Sequence, residues 1–322
     1  MDMRNLRFLK NIASVEKRLR RTASECLCPS CNQRAIRSHS QQRNGWLSAI
    51  AENGHVVGVC RQIAANLYQA SPESPPPPRI DRIGLAEAST FWGYCNQHDT
   101  ELFKCIEQHP LQKGSVEQVF ALHLRAMSFE RMAKQGQQEI TRICPGWENE
   151  VLIRQRLYEA DSMYRWNLLW IGDKINYFNE HFGYAWIVLP KNVGVSCATM
   201  IPPLSPLKED RYMTAHMGKD GCYHIARPAF SLSLVPSCNE THVIMCWHND
   251  DADLVAPWKY DLCNNSGSSL AMFLNRCVFV KSEDFYLRPS LWDSLDVCVR
   301  DLVRKNLVPS LSEREIPNVI TI

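Results

Sequence analysis

The sequence predicts an α+β protein with an N-terminal module built around paired cysteine and histidine motifs, central long helices, and a C-terminal short-stranded antiparallel sheet with a closing helix. Three observations lead to this fold class. The paired motifs lie within the first 110 residues, a helical period of apolar residues starts near 115, and alternation of apolar with small or polar residues starts near 184. Helices repeat every 3.6 residues and strands every second residue, so the two periods distinguish the segments.

The composition is that of a folded protein with an uneven charge distribution. Of the 322 residues, 45% are hydrophobic and 22% charged, which excludes wholesale disorder. The net charge is only +2, from 36 basic and 34 acidic residues. Residues 1–43, however, contain ten Lys or Arg against three acidic residues, a net of +7 that leaves −5 for the rest. An electrostatic partner is therefore expected at the N-terminal end.

The fourteen cysteines are spread over the whole chain. A chain of this size does not need disulfide staples, and the pattern is more typical of buried thiols in a reducing compartment. The first residues carry charges where the apolar core of a signal peptide would lie, and no apolar run reaches the length of a membrane span. We expect a soluble cytoplasmic protein without a membrane partner.

We divide the chain into residues 1–110, a basic module, and residues 115–322, a body that is helical over 115–180 and β-rich over 184–306. Within the module, residues 3–22 have the spacing of an amphipathic helix with a basic outer face. Its apolar stripe consists of Leu6, Leu9, Ile12, Val15 and Leu19. Residues 71–78 end in four consecutive prolines and are predicted to form an extended surface loop.

The body begins with two predicted helices. Apolar residues keep helical spacing from Val116 to Met127, and Cys144-Pro145-Gly146 ends this run. The second helical stretch extends from about Asn149 to Phe178, with Trp166 and Trp170 on one face. Tryptophans at this spacing are typical of a packed core.

The later part of the body alternates with a period of two. The alternation is found around Val193–Ala198, Phe230–Leu234 and Val243–Trp247. Prolines punctuate these segments, which favours short antiparallel strands over a doubly wound sheet. A closing helix is predicted from Ser290 to about Asn306, with Ser290 and Asp293 as a capping-box-like start.

The strongest chemical signal is the combination of Cys28-x-x-Cys31 with Cys95-x-x-His98. Two thiolates on a tight turn and a Cys-x-x-His pair at a helix start provide four tetrahedral ligands, the composition of a structural zinc site. The residues thus predict a zinc-organised module, although 63 residues lie between Cys31 and Cys95. Cys26, Cys60 or His39 could replace one of the four ligands, and unrelated buried cysteines are the simpler alternative.

Residues 26–107 also resemble a known group of proteins. A Cys-x-x-Cys knuckle, a histidine about eight residues later, and a ligand pair on a helix look like the treble-clef and HNH-endonuclease zinc group found in many bacterial proteins. The resemblance implies that His39 activates a water against a phosphodiester while a divalent metal stabilises the leaving oxygen. From the residues alone, a structural histidine or an alternative zinc ligand is the favoured interpretation of His39.

A second Cys/His pattern lies in the β-rich part. Cys222-Tyr-His224 and Cys246-Trp-His248 each place a thiol and an imidazole on one face of a strand. If the two strands were neighbours, four ligands would converge on a second metal site. Ordinary half-buried strand residues are the alternative.

These features predict a zinc-stabilised binding protein, with nucleic acid as the expected partner. Arg18, Arg20 and Arg21 are the candidate phosphate contacts, because they lie just before the cysteine knuckle. One alternative is an HNH-like metal-dependent nuclease with His39 as general base and a second divalent ion. Another is a protein-docking subunit of a larger assembly, in which the basic helix binds protein. The sequence does not distinguish DNA from RNA or predict the oligomeric state.

Overall fold

A computed structural model describes residue 14 and residues 24–60, 79–142, 160–204, 214–217, 223–307 and 314–322. The helix predicted over 3–22, apart from Ser14, and the proline-rich loop 71–78 lie outside the described residues. The same is true of Arg18, Arg20, Arg21 and Cys222.

The described residues form strands and helices in a mixed order. The strands are β1 Arg37–His39, β2 His55–Val59, β3 Ile80–Gly84, β4 Thr90–Trp92, β5 Phe182–Leu189, β6 Val195–Ile201, β7 Thr214–Met217, β8 Tyr223–Ala226, β9 Phe230–Pro236, β10 Thr241–His248 and β11 Phe285–Leu287. The helices are α1 Asn96–Glu107, α2 Val116–Arg142, α3 Lys174–His181, α4 Ala252–Asn264, α5 Gly267–Phe279, α6 Pro289–Ser294 and α7 Val297–Asn306. Residues 160–168 are also helical. The predicted α+β class is confirmed.

The centre of the fold is a seven-stranded antiparallel sheet with the order β3-β2-β11-β6-β9-β10-β5. Its middle strands are buried on both faces. One face, which includes Leu232 and Met245, packs against α4 and α5. The other, which includes Met200 and Ile244, packs against α2. Burial on both sides explains why β9 and β10 carry so few charged residues.

Strand pairing joins the N-terminal module to the body. β2 pairs with β11, so that Gly58 lies opposite Tyr286, and β3 then forms the edge of the same sheet. Polar contacts support this junction, since Gln41 Nε2 donates to the Asp284 carbonyl at 3.0 Å and Ser89 N donates to the Tyr286 hydroxyl at 2.7 Å. The sheet therefore crosses the predicted boundary between residues 110 and 115.

The predicted closing helix is two helices. The helix is interrupted at Asp296, between α6 and α7. The carboxylate of Asp296 accepts a hydrogen bond from Cys298 N at 2.8 Å, so that Asp296 caps the start of α7. The predicted capping pair also has other partners. Ser290 donates from its backbone N and its hydroxyl to Glu52, and Asp293 binds Arg82. Side-chain caps compete with the continuous helix that the apolar spacing predicts.

None of the helices in the described ranges combines the length and the apolar character required to cross a membrane.

A buried ion cluster links the helical residues 160–168 to the sheet. Arg165 donates to Asp161 Oδ1 at 3.1 Å and to Asp251 Oδ2 at 2.7 Å, and all three side chains are at most 10% exposed. Burial raises the pKa of Asp161 despite the opposing charges of Arg165 and Arg227. Each carboxylate in this cluster is thus needed to compensate a desolvated guanidinium.

We predict that Asp251→Ala lowers the free energy of unfolding by about 3–5 kcal/mol, because it leaves Arg165 buried with one partner fewer. Denaturant titration measures the change. The neighbouring Asp250 side chain is 66% exposed, so that Asp250→Ala is a matched control with an expected cost below about 1 kcal/mol. Equal costs for the two variants would contradict a structural role of the cluster.

Candidate metal centre

The first half of the candidate centre is a tight turn formed by residues 26–31. Cys26 N donates to the Gln33 carbonyl at 2.8 Å, and Cys31 N donates to the Cys28 carbonyl at 3.1 Å. Ser30 has a φ of 65°, a left-handed conformation that reverses the chain between these bonds. The turn brings the thiols of Cys26 and Cys31 to the same side.

The second half is the start of α1. Cys95 is the N-cap residue of this helix, and His98 lies in its first turn. Positions i and i+3 share a helix face, so both side chains point in one direction. Backbone bonds align the two halves, since Leu27 N donates to the Gly93 carbonyl at 2.9 Å and Ile36 N to the Tyr94 carbonyl at 2.7 Å.

Four potential ligands meet where the halves touch. The ligand atoms of Cys26, Cys31, Cys95 and His98 all lie within 4.8 Å of one another. His98 Nδ1 is 3.4 Å from Cys26 Sγ and 3.2 Å from Cys95 Sγ. Within the described ranges this is the one group of acidic, Cys or His side chains with metal-binding geometry. Three sulfurs and one nitrogen could hold a metal ion, and a closed set of four such donors is typical of structural zinc.

The structure brings together three of the four predicted ligands, namely Cys31, Cys95 and His98. Cys26 completes the group, and Cys28 is not part of it. Cys26 was one of the alternatives that the sequence left open, because a Cys-x-Cys-x-x-Cys segment offers two choices for the first ligand. The turn decides between them, since it places the Cys26 sulfur within 4.8 Å of the other three ligand atoms and leaves Cys28 outside the group.

Burial and hydrogen bonding shift the thiol pKa values in opposite directions. Burial raises the pKa of Cys26 to about 12, against the effect of N–H groups from Cys95 and Cys28. Cys95 is also desolvated, but hydrogen bonds from the His98 backbone and from neighbouring thiols bring its pKa below the ordinary value. Because metal ligands must be deprotonated, ion binding here releases protons, and affinity falls at low pH.

His39 lies apart from the four ligands, at the end of β1 opposite Thr90 in β4. Its Nδ1 is 3.0 Å from the Ala88 carbonyl and 3.2 Å from Ser89 Oγ. A carbonyl can only accept, so Nδ1 carries the proton and Nε2 the lone pair. Burial lowers the pKa of His39, which favours the neutral ring.

The second predicted Cys/His site does not form across neighbouring strands. β8, which contains His224, pairs with β7, and His224 lies opposite His216. β10, which contains Cys246 and His248, pairs with β5 and β9. The hypothesis that the strands of the two motifs are neighbours is therefore wrong. Cys60 follows β2 and is also outside the group of four.

Comparisons with protein-family models, with curated proteins and with solved structures give no match for this chain.

Because a thiolate centre contributes folding free energy directly, Cys31→Ser or Cys95→Ser should give insoluble or metal-free protein rather than a folded, metal-loaded one. Solubility and metal content per chain after purification measure this. Cys298→Ser is the matched control, since this cysteine is exposed on α7. Soluble Cys95→Ser protein with a full complement of metal would contradict the assignment.

Proposed function

We propose that this chain is a zinc-stabilised protein that binds nucleic acid through its N-terminal basic segment. The observation that carries the proposal is the position of the metal centre, whose first ligand, Cys26, lies three residues after the end of segment 1–23. Residues 1–23 contain seven Lys or Arg and two acidic residues. A cation cluster of this size is the usual electrostatic basis of phosphate binding.

Zinc is the ion that best suits the donor set. Three thiols and an imidazole are soft ligands, and four protein donors fill a tetrahedral shell without an open position for water. The resemblance to treble-clef proteins is in line with a knuckle followed by a helix-borne pair. A reducing cytoplasm would keep the three thiols available for the ion.

The described residues hold in place the point of the chain that follows the basic segment 1–23. Ser24 is held by its neighbours, since its carbonyl accepts from Ala35 N at 2.8 Å and its hydroxyl donates to the Trp92 carbonyl at 3.3 Å. Arg37 already forms an ion pair with Glu87 at 2.7 Å. Phosphate contacts are therefore assigned to the arginines before the knuckle rather than to β1.

Replacing Arg18, Arg20 and Arg21 by Gln should weaken nucleic-acid binding and reduce the slope of log affinity against log salt by about three units, close to one per lost phosphate contact. Binding to labelled single-stranded and double-stranded DNA and RNA at several salt concentrations measures the slope. A charge-matched control replaces the exposed Lys191, Lys259 and Lys305. An unchanged slope in the arginine variant would favour the protein-docking alternative.

One observation favours the nuclease alternative. The hydrogen bond from His39 Nδ1 to Ala88 leaves Nε2 as the basic nitrogen on a half-buried ring, the tautomer that a general base requires. However, the nuclease account also needs side chains that hold a divalent ion beside His39, and within the described ranges the one candidate metal group is the four-ligand site, which does not include His39. We therefore rank binding above hydrolysis.

The binding account predicts that His39→Ala lowers the free energy of unfolding by about 1–3 kcal/mol, the cost of a lost buried hydrogen bond, without any loss of a nicking activity. Thermal unfolding and a supercoiled-plasmid assay with Mg²⁺ or Mn²⁺ measure both properties. His55→Ala is the control, because this exposed histidine also bonds a backbone carbonyl. Divalent-ion-dependent nicking by the wild type that disappears in stable His39→Ala protein would replace the binding account by the nuclease account.

A further inference from the structure

The two edges of the central sheet differ in their charge. β3 forms one edge and β5 the other. β3 carries Asp81 and Arg82, which form ion pairs with Arg79 and Asp293. Charged side chains on an edge strand oppose pairing with another chain. β5, in contrast, runs from Phe182 to Leu189 without a charged residue or a proline, so this edge lacks the protection that β3 has.

The hydrogen-bond pattern shows which backbone groups of β5 point away from the sheet. In the hairpin of β9 and β10, Ser237 N donates to the Glu240 carbonyl at 2.8 Å. Bonded and non-bonded pairs alternate along an antiparallel ladder, so the next residue, Thr241, bonds its β5 partner Leu189 instead. The outward-pointing groups of β5 therefore belong to the even-numbered residues, namely Tyr184, Trp186 and Val188. Among the described residues, these groups have no hydrogen-bond partner.

Both faces of β5 are covered, whereas its edge is accessible. Leu189 belongs to the cluster that packs against α4 and α5, and Trp186 belongs to the cluster that packs against α2. Tyr184 and Ile187 are partly exposed, and Val188 is 37% exposed. A partner strand can therefore bind β5 in the plane of the sheet, through main-chain hydrogen bonds.

A second copy of this chain fits the edge of β5. Antiparallel pairing of the strand with its own copy is symmetric about a two-fold axis normal to the sheet. With the axis at Trp186, Tyr184 lies opposite Val188 of the other copy, and all outward N–H and C=O groups of the three even-numbered residues find a partner. An aromatic residue opposite a β-branched one is a favourable pair, and no like charges meet along the strand.

The charges that flank β5 complement each other in this arrangement. The exposed Glu180 lies two residues before the strand, and the exposed Lys191 lies two residues after it. In an antiparallel pair the end of one strand lies beside the start of the other. Lys191 of each copy therefore comes to the same end of the interface as Glu180 of the other copy.

We propose that this chain forms a two-fold symmetric dimer in which the two β5 edges pair and make one continuous sheet. Each contact occurs twice in such an interface, so a single substitution removes two contacts. The interface includes neither residues 26–31 nor α1, and it is independent of the proposed metal centre.

Sedimentation velocity of the full-length protein at increasing concentrations measures the monomer–dimer equilibrium. Val188→Pro removes one outward N–H group from each copy and keeps the bonds to β10, since proline is tolerated at such an edge position. We expect the dimer dissociation constant to rise by about tenfold to a hundredfold, the effect of two lost hydrogen bonds.

Arg82→Pro is the matched control on the charged edge. Cys60 N donates to the Arg79 carbonyl, and the same alternation along β2 and β3 directs the N–H group of Arg82 away from the sheet. This variant should dimerise as the wild type does.

A charge exchange tests the antiparallel direction. Lys191→Glu should raise the dissociation constant by about fivefold, because an acidic residue then lies near Glu180 at both ends of the interface. Adding Glu180→Lys restores the attraction with the signs exchanged, and the double variant should return to the wild-type constant.

Wild-type protein that stays monomeric at every concentration would overturn the proposal. A dimer with the same dissociation constant in Val188→Pro would also overturn it, as would a dimer that Arg82→Pro weakens to the same extent. If the proline variant does not fold, Val188→Lys replaces it, because a charge at this exposed position should weaken the edge contact in the same way.

Discussion

The contact between residues 26–31 and the start of α1 is the constraint on which the N-terminal half depends. Four side chains that are otherwise unlikely neighbours, three thiols and an imidazole, converge within 4.8 Å. A bound ion would act as a crosslink that closes the chain between Cys31 and Cys95. Closing a long loop lowers the conformational entropy of the unfolded chain more than closing a short loop does. An ion bound here would therefore stabilise β1 to β4, which all lie inside the loop.

The sheet gives this loop a rigid support. β2 and β3 extend the central sheet, and the Gln41 amide connects the loop to the body through Asp284 and Ser196. Gly58 is required at this junction because a Cβ there would lie 2.5 Å from the Tyr286 ring. The candidate metal centre and the sheet thus hold opposite parts of one segment, and together they fix the position of Ser24, the residue that follows the basic segment 1–23 in the sequence.

Local patterns predicted much of the fold and most of the site. Alternation correctly indicated β6, β9 and β10, and helical spacing indicated α2, because both signals arise from neighbours in sequence. The place of β2 in the sheet was not predictable, since its partner β11 lies more than 200 residues later in the chain. Similarly, spacing alone could not choose between Cys26 and Cys28. That choice depends on which thiol the turn directs toward Cys95 and His98.

X-ray absorption spectroscopy at the zinc edge tests the central claim most directly. The account predicts one zinc per chain with three sulfur ligands at about 2.3 Å and one nitrogen at about 2.0 Å. A shell of oxygen and nitrogen ligands, or a folded wild-type protein that contains no metal after purification, would contradict it.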